Sequence, residues 1–158
     1  MRKNSKLNIL EVGIGAGNFY RLLKIHKLKN NYLGADISEN YVNLSKKLNL
    51  TNSFILTDEL ISKNLEKNYD VVYCRNVLLH QTDPYIFLNN LIEKSKFFLI
   101  IELTTRDLGE TNLDVKKSCQ LVDGVWVPYI VLNYNELVKY LSTHRLCKNS
   151  KIYTNRDY

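Results

Sequence analysis

The chain has 158 residues, 45% of them hydrophobic and 24% charged, with a formal net charge of +6 and three cysteines. That length supports one domain with a proper core, and the balance argues against intrinsic disorder, a fibrous repeat and a bilayer-spanning run. Cys74, Cys119 and Cys147 are odd in number and share no C-x-x-C spacing, which argues against a disulfide framework and a zinc knuckle. The N-terminal "MRKNSKLNILEVG" starts basic but lacks the apolar run of a signal peptide, so a cytoplasmic protein without a membrane anchor is expected. A basic chain keeps nucleic acid as a second candidate partner, although the lysines recur in most segments instead of gathering in one block.

Residues 7 to 12 (LNILEV) predict a short buried strand. It runs into three glycines, and Asn18 to Lys29 then carry Phe19, Leu22, Leu23 and Ile25 at roughly helical spacing. Tyr32 to Asp36 predict a second strand. Ser38 is placed to cap a helix to about Leu48, with Tyr41, Val42, Leu44 and Leu48 as its inner face. SFILT at 53 to 57 predicts a third strand and is followed by a short helix through Leu65. YDVVYC at 69 to 74 is nearly continuous in apolar residues, as a strand covered on both faces of a parallel sheet would be.

Pro84 suits the first turn of a helix reaching about Ser95, spanned by Ile86, Phe87, Asn90 and Leu91, and FFLIIEL at 97 to 103 predicts a fifth strand. After Thr104 the pattern loosens until "VDGVWV", where Asp123-Gly124 suits a hairpin turn. Asn133, with Glu136 three residues on, has the form of a capping box opening a last helix through Leu141, and residues 145 to 158 leave room for one more strand. Strands alternating with helices of this length imply right-handed βαβ units. The expected fold is a single Rossmann-like α/β domain over 1–158, with a doubly wound, mostly parallel sheet.

In an open α/β sheet a ligand lies beyond the carboxyl ends of the strands, beside the first one, where residues 13 to 18 fall. A dinucleotide fingerprint, G-x-G-x-x-G, would need glycine at position 18, which is Asn18. A phosphate loop of the Walker type needs a Gly-Lys pair, and the chain has none.

What the chain does carry, E-x-G-x-G-x-G from Glu11 through Gly13, Gly15 and Gly17, resembles the glycine motif of class I S-adenosylmethionine-dependent methyltransferases. YLGADIS resembles that family's second strand, and FILTDEL looks like the segment after its third. The resemblance implies that Asp36 accepts from the ribose hydroxyls of S-adenosylmethionine and that Ile37 lies against the adenine. It places Asp58 at the adenine amino group with Glu59 beside it, and it has Cys74 offer backbone to the amino end of the cofactor. The charges suit such a ligand. A glycine turn opening a helix holds the methionine carboxylate through backbone N–H groups and the helix dipole, while Glu11 answers the cationic ammonium and sulfonium.

"YDVVYCRNVLLHQTDP" is similar to the family's fourth-strand segment, usually written with L-H-H before an acidic-Pro pair; here Leu79 replaces the first histidine and His80 stands as the second. His80 is therefore the candidate general base. Residues 1–104 would form the cofactor half, and 105–158 the acceptor side, with Trp126, Tyr129 and Tyr134 as candidate pocket residues. "RNVL" stands where a D/N-P-P-Y/F motif would point to amino groups of nucleobases, so a small-molecule acceptor, a metabolite or sugar, is expected and no metal is called for. The alternatives are an RNA methyltransferase and a non-catalytic cofactor-binding module. Only eight residues precede Ile9 and the end leaves no room for the family's closing hairpin, which suggests a minimal form, or a homodimer or partner chain supplying the lid.

Overall fold

The computed structural model describes residues 6–48, 53–55, 69–122, 124–147, 149–151 and 153. The first part of the chain alternates strand and helix: β1 (Leu7–Val12), α1 (Asn18–Ile25), β2 (Asn30–Asp36), α2 (Glu39–Lys47), β3 (Ser53–Ile55), β4 (Tyr69–Arg75), α3 (Pro84–Lys94) and β5 (Ser95–Glu102). These strands form one sheet in the order β3-β2-β1-β4-β5, with every neighbouring pair parallel. The winding direction reverses between β1 and β4, which opens a crevice at their carboxyl ends.

Alternation along the strands builds the two cores. Ile9 of β1 joins Ile14, Leu23, Tyr32 and Val42 on the face covered by α1 and α2. Leu10 and Val12 turn the other way, onto Ala35, Val72, Cys74 and the Phe87, Leu88, Leu91 and Ile92 stripe of α3. The Rossmann-like doubly wound sheet read from the sequence is the observed architecture.

The helices differ from their expected form in instructive ways. α1 stops at Ile25 because Lys27 takes a left-handed conformation (φ 51°), which returns Leu28 N–H to the Leu23 carbonyl at 3.1 Å and closes the helix. Of its expected apolar face only Leu23 is buried; Leu22 and Ile25 are exposed. In α2 the inner face is Val42 and Ser45, whereas Tyr41, Leu44 and Leu48 face outward. Ser45 is small enough to bring the helix against β3, and its hydroxyl meets that of Ser53 at 2.7 Å and the Val42 carbonyl at 2.7 Å. Ser38 caps α2 as expected. Asp83 accepts from the N–H groups of Tyr85 and Ile86 at the start of α3, with Pro84 in its first turn.

Beyond β5 the chain forms β6 (Thr105–Arg106), β7 (Cys119–Val122), β8 (Val125–Pro128), β9 (Leu132–Asn133) and α4 (Tyr134–Thr143). β7 and β8 make the expected antiparallel hairpin, with Val122 opposite Val125 and Gly124 at φ 81°; Asp123 lies outside the described residues. β6 and β9 pair in parallel as a short clasp. The capping box at α4 is only half present. Asn133 Oδ1 accepts from Glu136 N–H, but the Glu136 carboxylate accepts from Thr111 N–H at 3.3 Å, while Asn133 N–H donates to Thr111 Oγ1 at 2.8 Å. The reciprocal bond of a capping box is thus replaced by a bridge to the loop after β6. The extra strand expected after Arg145 is absent among the described residues, and the helix expected through Leu65 lies outside them. No helix among the described residues is long and apolar enough to cross a membrane.

Asn133 is buried and also donates from Nδ2 to the Gly109 carbonyl at 2.7 Å, so it fastens both the helix and the loop. Asn133→Ala is expected to lower unfolding stability by about 1–2 kcal/mol in a urea titration. Asn133→Ser keeps a cap acceptor while lacking the Gly109 bond, and is expected to lose less.

Candidate functional site

The turn between β1 and α1 is built from positive φ angles: Gly13 at 84°, Gly15 at 46° and Gly17 at 75°. At Gly13 a Cβ would lie 2.3 Å from Val77 Cγ2, so the glycine also lets the segment after β4 close over the turn. At Gly15 a Cβ would meet nothing within 4 Å, so open space borders the backbone there. Gly13 N–H donates to the Ala35 carbonyl at 2.8 Å and Gly17 N–H to the Ile14 carbonyl at 2.7 Å. Gly17 is the N-cap of α1 and supplies no side-chain acceptor, so the first turn of α1 offers its N–H groups and dipole to an anion.

Asp36, at the end of β2, is buried and spans the site: one carboxylate oxygen accepts from Gly15 N–H at 2.9 Å and the other from Ser38 N–H at 2.9 Å. A carboxylate has about four acceptor positions, so two remain for a ligand. Ile37 beside it is 83% exposed, an apolar side chain left uncovered at the strand end. Glu11 is not a solvent-facing strand residue. It is 3% exposed, and its carboxyl receives the Tyr32 hydroxyl. Gly34 makes this possible, because a Cβ at that position would fall 2.9 Å from the Tyr32 oxygen and 2.7 Å from Ile14 Cγ2. Burial pushes the Glu11 carboxyl up to about 7; the Tyr32 hydrogen bond partly offsets this and the Asp36 charge adds to it. Tyr32 is raised as well, by burial and by the adjoining Glu11 charge.

At the end of β4, Asn76 takes φ 53°, a conformation that asparagine tolerates, and its N–H donates to the Glu102 carbonyl at 2.8 Å. Cys74 is fully buried and its thiol is pushed up to about 12, which leaves an inert side chain on a central strand. His80 ends a 3-10 turn over Leu78–His80, and its Nδ1 lies 3.0 Å from the Pro128 carbonyl, so this nitrogen carries the proton and ties β8 to the end of β4. Its ring packs on Tyr129 at 5.9 Å between centroids. Next to this tie is a cavity of about 490 Å³ lined by Thr82, Val115, Lys116, Cys119, Trp126, Val127 and Pro128. Trp126 borders it while Tyr134 opens α4. Asp58 and Glu59 lie outside the described residues.

Glu11, Gly13, Gly15, Gly17, Asp36 and Ile37 thus gather at the carboxyl ends of β1 and β2, while His80 stands in the turn after β4. Tyr32, Gly34, Asn76 and Val77 were not legible as site residues. The one available signal was Tyr32-x-Gly34, since residues two apart on a strand share a face and the glycine vacates room for the ring's hydroxyl.

A parallel sheet wound outward from β1, a glycine turn into an uncapped helix and an acid at the end of β2 define a class I methyltransferase-like domain. The chain belongs to the family described as "Methyltransferase domain", whose profile matches residues 1–149. Among solved structures it is similar to the CurJ carbon methyltransferase, with 20% identity and a TM-score of 0.66 over 90% of this chain and 42% of that one. It is also similar to the CMeT domain of the citrinin polyketide synthase, with 16% identity and a TM-score of 0.65 over 90% and 41%. The DhpI–SAH complex shares 18% identity, with a TM-score of 0.60 over 85% and 65%. The chain therefore spans about two fifths of the length of the CurJ and citrinin chains. The comparison with curated protein sequences finds no match.

Gly13→Ala forces a side chain into a left-handed backbone and against Val77. It is expected to cost about 2–4 kcal/mol in chemical denaturation; Val77→Ala in the same background should recover part of that loss. Because the Glu11 carboxyl is raised in the fold, from 4.5 to about 7, the protein binds a proton there that the unfolded chain does not. This contribution, about 3 kcal/mol, is fully present below pH 4.5 and is lost as the pH rises through 7. Relative to Glu11→Gln, wild-type stability is expected to fall between those values in urea titrations run at each pH.

Proposed function

We propose that the chain binds S-adenosylmethionine and transfers its methyl group to a small-molecule acceptor. The observation that carries this reading is the glycine turn itself: an uncapped α1 N-terminus with open space over Gly15, bonded through Gly15 N–H to the carboxylate of Asp36. Anion-binding amides on one side and buried acids on the other suit a zwitterionic nucleoside better than a pyrophosphate. In this reading the N–H groups of the first turn of α1 take the carboxylate of the methionine end, and Glu11 answers its cationic groups. Asp36 accepts from the ribose hydroxyls with its two remaining positions, and Ile37 covers the adenine.

When bound, the cofactor supplies a sulfonium methyl that is already electrophilic. What remains for the chain is to align the acceptor and exclude water. The 490 Å³ cavity beside His80 is of small-molecule size, and a proton on His80 Nδ1, held by the Pro128 carbonyl, leaves Nε2 free to take a proton from the acceptor. The structures with similar folds give this acceptor class modest support, since one is of the BpumL plantazolicin methyltransferase with SAH and a triazolic desmethylPZN analog. Free cysteines fit a reducing, cytoplasmic setting.

Isothermal titration with S-adenosylmethionine and S-adenosylhomocysteine is the test, with NAD as control. Binding of both is expected, together with a loss of about 10- to 100-fold in Asp36→Ala and no response to NAD. Pairing with a cation favours ionised Glu11, so affinity for S-adenosylmethionine should rise as the pH climbs to about 7 and then level off, and Glu11→Gln should flatten that rise. A folded chain with no affinity for either nucleoside would sink the proposal.

A further inference from the structure

Three segments wall the cavity next to the His80–Pro128 tie: Val115 and Lys116 of the loop into β7, Trp126, Val127 and Pro128 of β8, and Thr82 after the turn that holds His80. The walls are mostly apolar. Trp126 is the largest side chain among them and is 67% exposed, so a broad indole surface stands uncovered at the side of a space of small-molecule size. A flat apolar body fits against it.

Lys116 is the one charged side chain among the described residues that line this cavity. Its place is fixed by the backbone. Asp114 Oδ1 accepts from Lys116 N–H at 3.0 Å, and the Asp114 carbonyl accepts from Lys117 and Ser118 N–H at 2.9 and 2.8 Å. The Ser118 carbonyl in turn accepts from Tyr129 N–H at 2.9 Å, which continues the β7–β8 ladder and ties the turn to the hairpin. The nearby acids are engaged elsewhere: the Asp114 carboxylate lies 3.8 Å from Lys117 Nζ, and Asp83 accepts from two N–H groups at the start of α3. Among the described residues no carboxylate pairs with Lys116.

We propose that this cavity takes an aromatic carboxylate, its ring against Trp126 and its carboxylate accepting from Lys116 Nζ. One lysine matches a single negative charge, and the indole beside it matches a ring. That the ligand is the methyl acceptor rests on the function proposed above; the charge and ring preference follow from the lining itself. Pro128 joins the two ideas, because it lines the cavity and its carbonyl lies 3.0 Å from His80 Nδ1. A neutral amide of the same shape keeps the ring contact and loses the charge-assisted bond, so it binds more weakly.

The test titrates 4-hydroxybenzoate and 4-hydroxybenzamide into the chain and follows the indole N–H signal by NMR, which is unambiguous because the sequence has one tryptophan. The acid is expected to move that signal and to bind about three- to tenfold more tightly than the amide. Lys116→Met should bind the two alike. Trp126→Leu, followed through the ligands' own signals, should weaken both about two- to tenfold. Equal binding of acid and amide by the wild-type chain would overturn the proposal, as would a preference that survives Lys116→Met or an indole signal that stays unmoved at about 10 mM acid. S-adenosylhomocysteine titrated into the same wild-type sample separates the two readings. A chain that binds it without preferring the acid overturns the present inference alone, whereas one that prefers the acid without binding the nucleoside overturns the acceptor role together with the function beneath it.

Discussion

The geometry of the carboxyl end of the sheet depends on one constraint: the backbone at Gly13 must turn left-handed immediately after β1, directly beneath Val77. Because that residue has no Cβ, the exit of β4 can lie over the exit of β1, and the crevice has a floor made of main chain. Gly15 and Gly17 continue the turn, and the Asp36 carboxylate holds it from the side. The helix that follows begins without a side-chain cap, which leaves its orphan N–H groups as a resource for a ligand. The turn, the acid and the helix end form one device, and none of its parts has a structural purpose that explains all three.

Beneath that device is a conflict of burial and charge. Glu11 is taken out of water on the α1 face of the sheet, where the groups facing it are the Tyr32 hydroxyl, the Asp36 carboxylate and Tyr73, with no cation among the described residues. Buried carboxyls without a cation are costly to ionise. The fold tolerates this one by giving it a phenol to hydrogen-bond and by keeping it protonated well above the ordinary carboxylate range. The stability of the fold at this position therefore turns on a single proton.

How much of this was legible in the sequence depended on whether the signal was local. The strands of the main sheet, the turn glycines, Ser38 and the hairpin at 123–124 were readable because periodicity and turn chemistry act over a few residues. Helix faces were read less well: Tyr41, Leu44 and Leu48 sit at apolar spacing on α2, yet the small Ser45 decides how the helix docks. The partners of the site residues were the least legible. Tyr32 reaches Glu11 across two strands, and Glu136 leaves its own helix cap for Thr111, because these contacts are set by register and packing between segments over 20 residues apart. His80 illustrates the same limit, since its bond to Pro128 spans 48 positions and fixes a tautomer that no motif encodes.

The chain contains a single tryptophan, Trp126, on the β7–β8 hairpin, 67% exposed and bordering the cavity beside Pro128. The hairpin meets the rest of the domain through the His80–Pro128 tie and the Leu79–Ile130 backbone bond. All indole fluorescence of this chain therefore originates from one hairpin, tied to the segment just after β4. The molecule thus carries an intrinsic optical label, a single exposed indole whose emission reports on the hairpin without any dye or engineered probe.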